Sequence, residues 1–293
     1  TLDNKQVSMG TATWTVSGNW DNASVTTFNK NTSTLVMNGN SATITSAWDR
    51  SLYGLQISGN VSAQSSAVWT FGPVQIDANA SFTGSSGTSF RQNTTVNNGT
   101  VSGTMGLYID ILTNNGTWSA NTTTYRNLTL SAATYGGAWN ITKEWGNNTV
   151  IFSSGNTIFT GNVIFNSNDR NYVFTIANNT NNPNIEFRGN LTLTESVGTI
   201  TWTKGTGTIT LGNNPSDGTQ TINFLGKSIE DLIINAPGDT KQLTANVTVD
   251  TLTETAGTLN RNGYTITVLE GSDTTPPVRS AGSPTGTLAS GTT

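Results

Sequence analysis

Short phrases in which an apolar residue alternates with a small polar one recur along this 293-residue chain. Examples are the segments 199–203 (TITWT), 207–211 (GTITL) and 264–268 (YTITV). A period of two residues is typical of β-strands that bury one face and expose the other. Thr, Ser, Asn and Gly make up just over half of the chain, so strand propensity comes from Thr and Val rather than from large apolar side chains. The pattern predicts an all-β protein with a thin core.

The low hydrophobic content does not by itself predict disorder. Hydrophobic residues are 33% of the chain, but charged residues are only 10% and the formal net charge is −4. Charge-driven disorder requires low hydrophobicity together with high net charge, and only the first condition is met. The length is sufficient for one long β domain or two ordinary ones.

Loose internal repeats favour a β-solenoid. A small residue followed by Asn and an apolar residue recurs at 59–62, 161–164, 189–192 and 245–248, and the last three copies are spaced by 28 residues and then by twice that number. Repeats of this size are typical of stacked coils whose corners are turned by Gly and Asn. We therefore predict a parallel β-helix over residues 1–271. Tandem antiparallel β-sandwich domains, with Asn-Gly pairs at hairpins, are the alternative.

Two segments resemble a known class of proteins. The run 243–268 reads LTANVTVDTLTETAGTLNRNGYTITV and resembles the closing coils of right-handed β-helix surface proteins of bacteria and archaea. Residues 14–20 (WTVSGNW) are similar to the opening coil of such proteins. The resemblance covers residues 10–270, and its degenerate motifs specify architecture rather than a ligand. It implies secretion and an adhesive or structural role.

The C-terminal residues 272–293 differ in character from the rest of the chain. Three prolines fall between positions 276 and 284, and the strand alternation is absent at the start of the segment. This composition predicts an extended linker or, alternatively, an arm that adds a strand to a neighbouring subunit. The phrase 273–278 (DTTPPV) also resembles the lead-in to immunoglobulin-like modules of large surface proteins.

Charge and residue types argue against several functions. A pI near 4.7 without Lys/Arg clusters argues against a nucleic-acid partner. No stretch approaches the roughly 18 apolar residues of a membrane span, and a chain that begins at Thr1 is expected to have lost a secretion leader. Without His or Cys there is no Ser-His-Asp triad and no thiolate zinc site, and the acidic residues are scattered. We therefore predict no enzymatic activity, no metal and no cofactor.

Two sets of side chains are candidate interaction sites. Trp139 and Trp145 flank a mostly polar stretch and are candidate platforms for sugar rings, although a core short of Leu would also use Trp as filling. The acceptor triplet Asn-x-Ser/Thr for N-glycosylation occurs fourteen times, a mild excess over chance. The candidate glycosylation sites are Asn22, Asn31, Asn60, Asn79, Asn93, Asn98, Asn115, Asn121, Asn127, Asn140, Asn147, Asn178, Asn190 and Asn246.

The two ends of a solenoid expose unpaired strand edges, which must be capped or stacked. The sequence contains no evident charged or helical cap. The expected function is that of a non-enzymatic extracellular structural protein at the cell surface, whose partner is itself and which assembles into a filament or sheath. The alternative is an adhesin or carbohydrate-binding module that binds a surface polysaccharide.

Overall fold

The computed structural model describes residues 5–47, 50–64, 69–91, 94–142, 146–168, 172–214, 218–269 and 289–290. It is nearly all β and forms a parallel β-solenoid of about 12 turns. The predicted solenoid is thus confirmed, and the alternative of antiparallel sandwiches is wrong, because the strand pairs that build the coils are parallel. No helix in the described part of the chain has the length and apolarity needed to cross a membrane.

Most strands are short, and the 3-10 turn Asn178–Thr180 lies between two of them. In chain order the described strands are β1 (Gln6–Ser8), β2 (Thr13–Val16), β3 (Trp20–Asp21), β4 (Thr27–Asn29), β5 (Thr34–Met37), β6 (Asn40–Thr45), β7 (Gly54–Ile57), β8 (Asn60–Ala63), β9 (Trp69–Thr70), β10 (Val74–Ile76), β11 (Ser81–Gly84), β12 (Ser89–Arg91), β13 (Thr94–Asn97), β14 (Thr100–Tyr108), β15 (Ile111–Asn114), β16 (Thr117–Trp118), β17 (Asn121–Thr124), β18 (Leu128–Leu130), β19 (Thr134–Tyr135), β20 (Trp139–Thr142), β21 (Asn148–Phe152), β22 (Asn156–Phe159), β23 (Val163–Ser167), β24 (Val173–Ala177), β25 (Asn184–Phe187), β26 (Leu191–Glu195), β27 (Thr199–Thr203), β28 (Thr208–Gly212), β29 (Thr219–Asn223), β30 (Ser228–Ile229), β31 (Asp231–Leu243), β32 (Val247–Val249), β33 (Leu252–Asn260), β34 (Ile266–Val268) and β35 (Ala289–Ser290).

The chain divides into two compact units. The first comprises the described residues up to Ser131 together with Gly136–Ala138. One face of its coils is the parallel stack β2-β5-β7-β10-β13-β15-β18. A second face joins β3, β6, β8, β11, β14 and β16, and a third joins β9, β12, β14 and β17. The coils of this unit are therefore three-sided.

The second unit comprises Ala132–Tyr135 and the described residues from Trp139 onward. Its three stacks are β19-β22-β25-β28-β31-β33, β20-β23-β26-β29-β31-β33, and a third that runs β21-β24-β27 and then β30-β32-β34-β35. The long strands β31 and β33 turn a corner through register shifts and so contribute to two faces. The two residues of β35 pair with β34 of the same chain.

The alternating pattern determines the core. In the first unit, Leu35, Leu55 and Val74 are in register on successive coils and all three are buried. The next coil places buried Thr95 in this row, and the one after it places Leu112. The intervening residues point outward, as in β5, where buried Leu35 and Met37 alternate with half-buried neighbours. In the second unit, aromatic rings join the aliphatic residues of the core. The ring centroids of Phe159 and Phe187 are 5.6 Å apart, and the two rings are nearly parallel. Stacked rings therefore fill part of this core.

Asparagines at the corners tie one coil to the next. The Oδ1 of Asn162 accepts the backbone N–H of Asn190 at 2.9 Å, and the Oδ1 of Asn190 accepts that of Thr221 at 2.8 Å. Glycines allow the corners to approach closely: a Cβ placed on Gly59 would lie 2.2 Å from the carbonyl oxygen of Gly39 on the preceding coil. The abundance of Asn and Gly is thus a property of the corners, which need an extra acceptor and a bare backbone.

Candidate functional site

The structure overturns the prediction that Trp139 is a sugar platform. Trp139 is 1% exposed, and its ring packs edge-on against Tyr135 and Phe159 with centroid distances of 5.2 and 5.8 Å. Neither face of the ring is open to a saccharide, because the ring is packed within the apolar core of the second unit. Trp20, Trp118 and Trp202 are buried as well. The other predicted platform, Trp145, lies outside the described residues.

The fourteen candidate glycosylation sites fall into different environments. Asn140 and Asn190 are half-buried, and Asn93 lies outside the described residues. Two sites cannot accept a glycan in the folded chain: Asn22 is fully buried and its Nδ2 donates to the carbonyl oxygen of Arg50 at 2.9 Å, and Asn178 is 1% exposed. For these two the prediction is wrong, because acceptor triplets also occur where Asn points inward. The exposed sites are Asn31, Asn60, Asn79, Asn98, Asn115, Asn121, Asn127, Asn147 and Asn246.

The coil geometry explains why acceptor triplets are so frequent. In the triplets that begin at Asn60, Asn190 and Asn246, Asn stands at a corner, the next residue points into the core, and Ser or Thr points out again. At Asn246 the Oδ1 accepts the backbone N–H of Thr265 at 2.8 Å, which is the same corner bond that Asn190 makes. A corner followed by strand alternation therefore generates Asn-x-Ser/Thr without any need for a glycan.

At the first described coil, the row of core residues that contains Leu35 ends in an exposed side chain. Trp14 in β2 is in register with Leu35, yet Trp14 is 37% exposed whereas Leu35 is fully buried. Strand β2 is the edge of its sheet, and its parallel partner is β5. The indole Nε1 of Trp14 donates to the carbonyl oxygen of Met9 at 3.2 Å, which holds the ring across the end of the coil. This end presents an apolar ring beside an edge strand.

The last coil of the second unit shows the same transition. Leu252 in β33 is in register with Leu232, which is fully buried, but Leu252 itself is half-buried. On another face, Val268 in β34 is half-buried above fully buried Val249, and the outer edge of β34 pairs with β35. Residues that would be core in any interior coil are therefore accessible here. We refer to β2 with Trp14 as the first coil and to β33 with Leu252 as the last coil.

A second feature, which we call the polar corner, consists of Gln220, Asp239 and Lys241 in the second unit. All three side chains are buried. The Nζ of Lys241 donates to the Oε1 of Gln220 at 2.6 Å and lies 3.6 Å from the Oδ2 of Asp239. Burial lowers the pKa of Lys241, while the negative charges of Asp239 and Glu186 oppose that shift. A buried amine, an amide and a carboxylate thus meet in one place.

Backbone groups fix the members of the polar corner. The Oδ2 of Asp239 accepts the N–H of Asn214 at 2.6 Å, and the Nε2 of Gln220 donates to the carbonyl oxygen of Gly218 at 3.2 Å. Beside the corner is an open depression of about 450 Å³. Its lining residues are Glu186, Arg188, Asn213, Asn235 and Pro237.

The sequence alone does not reveal the polar corner. Gln220 lies 21 positions before Lys241, so no local motif links the two side chains. One signal was present: Gln220 and Lys241 occupy the same register position in consecutive coils, β29 and β31. Without the coil length, that alignment cannot be extracted from the sequence.

Comparison of the chain with protein-family models, with curated proteins and with solved structures found no match. Within the described ranges, no group of three or more His, Cys, Asp or Glu side chains could hold a metal ion. The geometry of the terminal coils and of the polar corner is therefore the basis for assigning a function.

Proposed function

We propose that this protein is a non-enzymatic structural building block of a microbial cell surface, which assembles end to end with copies of itself into a filament or sheath. The observation that carries the proposal is the exposure of core positions at the terminal coils. Trp14 is 37% exposed above a fully buried Leu35, and Leu252 is half-buried above a fully buried Leu232. A second copy stacked on either coil would bury these side chains.

Backbone hydrogen bonding favours the same partner. In a parallel stack each strand uses one edge for the preceding coil and the other edge for the following coil. Strand β2 pairs with β5 on one edge, and β33 pairs with β31. The edge left by the first coil and the edge left by the last coil are complementary, so the last coil of one copy continues into the first coil of the next. Such a head-to-tail contact is heterologous, and it produces a filament when it does not close into a ring.

An extracellular location belongs to the same proposal. The chain has no cysteine and is rich in exposed Asn, Ser and Thr, and its coils are joined by backbone ladders and corner asparagines rather than by disulfides. Nine exposed acceptor triplets could carry glycans without entering the core. A surface fibre exposed to proteases and variable redox conditions is the setting in which these properties are useful.

Light scattering of the purified full chain over a range of concentration tests the assembly. We expect wild-type protein to form particles that grow with concentration. The variants Trp14→Glu and Leu252→Glu each place a charge in the proposed junction and should reduce the association constant by at least about tenfold, since burying an unpaired charge costs more than about 1.4 kcal/mol.

Ile164→Glu is the matched control. Ile164 is 40% exposed, close to the value for Trp14, but it lies on the outer face of an interior strand, β23. This variant should assemble like wild type, with unchanged circular dichroism in all three variants. The proposed interface would be contradicted by a wild-type chain that stays monomeric at every concentration, or by an equal loss of assembly in Ile164→Glu.

A further inference from the structure

The polar corner brings a nucleophile and an electrophile together inside the second unit. Gln220 and Lys241 are directly in register in the adjacent parallel strands β29 and β31 and both point inward. The Nζ of Lys241 lies 2.6 Å from the Oε1 of Gln220. Since a C=O bond is about 1.2 Å long, the carboxamide carbon of Gln220 is within about 3.8 Å of this nitrogen. That separation is close to the distance at which two groups begin to react.

The third member of the corner supplies a proton acceptor. The Oδ2 of Asp239 is 3.6 Å from the Nζ of Lys241, and the side chain of Asp239 is buried. Its Oδ1 has no hydrogen-bond partner among the described residues. The carboxylate of Asp239 is therefore placed to accept a proton from the ammonium of Lys241.

The amide is held so that its carbonyl faces the amine. The Nε2 of Gln220 donates to the carbonyl oxygen of Gly218 at 3.2 Å, and this bond orients the Oε1 toward Lys241. Lys241 has one further acceptor nearby, the carbonyl oxygen of Arg188 at 3.4 Å. The amine is thus confined on several sides, which reduces the entropy that it must lose on reaction.

From this geometry we propose that Lys241 and Gln220 form an intramolecular isopeptide bond that covalently joins two consecutive coils. The neutral Nζ of Lys241 attacks the Cδ of Gln220, and a C–N bond forms. Asp239 passes the proton that it received to the departing amide nitrogen, and takes up a second proton from the attacking nitrogen. The bond between Cδ and Nε2 breaks, and one ammonia molecule leaves. The step is an amide exchange and requires no oxidant, reductant or cofactor.

The cross-link would give this cysteine-free chain a covalent staple. It joins residues in β29 and β31, where β31 turns its corner through a register shift. A bond between two chain positions restricts the unfolded ensemble, as a disulfide does. The proposal is independent of the end-to-end assembly, because it concerns side chains buried within one copy.

Intact-mass measurement of the folded full chain, produced in a host that does not glycosylate Asn, tests the bond directly. We expect a mass lower than the sequence mass by one ammonia molecule. Trypsin cannot cleave after a lysine whose amine is acylated, so digestion should yield the peptide 205–227 joined to the peptide 228–261. Lys241→Arg should restore the full sequence mass, whereas Lys204→Arg should retain the loss of ammonia.

Asp239→Asn should leave Lys241 and Gln220 unlinked while the circular dichroism remains that of a β protein, because the proton acceptor is removed. The wild-type mass alone is decisive if a variant fails to fold. The proposal is overturned by a folded wild-type chain at full sequence mass, by loss of water with a link between Lys241 and Asp239, or by loss of ammonia located at an Asn-Gly pair.

Discussion

At the scale of single residues, Phe159 lies at the centre of a group of stacked aromatic rings in the core of the second unit. Phe159 is fully buried and stacks between Tyr135 and Phe187 at centroid distances of 5.7 and 5.6 Å. We expect Phe159→Ala to lower the free energy of unfolding by about 3–5 kcal/mol, the usual loss for a buried Phe replaced by Ala. Guanidinium-induced unfolding followed by circular dichroism measures this change.

The matched control is Ile164→Ala on the next strand, β23. Ile164 is 40% exposed, so its truncation should change the free energy of unfolding by less than about 0.5 kcal/mol. Equal losses for Phe159→Ala and Ile164→Ala would show that the aromatic stack does not dominate the stability of this unit.

Glu195 links stability to pH. Burial raises the pKa of Glu195, but hydrogen bonds from the Nζ of Lys227 at 2.8 Å and from the N–H of Ile200 at 2.7 Å outweigh it, and the pKa lies below its ordinary value of 4.5. A carboxyl group whose pKa is lowered in the folded state stabilises the fold at pH values above its unfolded pKa. This stabilisation is lost as the pH falls through the pKa of the folded state.

We therefore expect Glu195→Gln to be less stable than wild type at neutral pH, and the difference to shrink as the pH falls below 4.5. Chemical unfolding of both proteins at a series of pH values measures the difference. A gap that stays constant from neutral to strongly acidic pH would show that the charge of Glu195 does not contribute.

At the scale of elements, the corner asparagine is the connection that recurs from coil to coil. Asn162 accepts the N–H of Asn190, which in turn accepts that of Thr221. Asn162→Ala should lower the free energy of unfolding by about 0.5–1.5 kcal/mol, because the backbone N–H of Asn190 loses its acceptor. Asn162→Asp keeps a side-chain oxygen in place and should lose less. Thermal unfolding of the two variants measures both losses of stability. Equal losses for Asn162→Ala and Asn162→Asp would show that the effect does not come from the hydrogen bond.

The strands and their stacking were the features that the sequence predicted best. The alternation of apolar and small polar residues predicted strands, and the loose repeats predicted a parallel solenoid. The spacing of 28 residues between 161–164 and 189–192 corresponds to one coil, since Val163 and Leu191 are in register. The last copy of that phrase, 245–248, does not continue the stack. Val247 pairs with Ile266 on another face, whereas Leu191 pairs next with Ile222. Because coils differ in length, a repeated phrase can recur on a different face.

The candidate sites were harder to predict for a related reason. Trp139 and Asn22 have the residue types of surface sites, but the face of the coil to which they belong makes them core. Whether a polar or aromatic side chain points in or out depends on its strand register, and one position of slippage reverses it. The polar corner depends on register in the same way, since Lys241 is buried only because it lies on the inward line of β31.

At the scale of the whole molecule, the terminal coils are the part of the solenoid on which the proposed function depends. Interior coils bury their apolar lines against neighbours on both sides, while Trp14 and Leu252 are covered from one side by the described residues. Each coil gains stability from the next, so a further copy adds the same kind of interface that already holds the chain together. Self-assembly thus requires no interaction that is absent from the fold.

Cryo-electron microscopy of the assembled full chain, at a resolution that separates strands, tests the central claim most directly. The account predicts filaments in which the last coil of one copy lies about 4.8 Å from the first coil of the next, so that the strand spacing continues across the junction with Trp14 buried there. Single particles at every concentration, or filaments joined through the lateral faces with both terminal coils exposed, would contradict it.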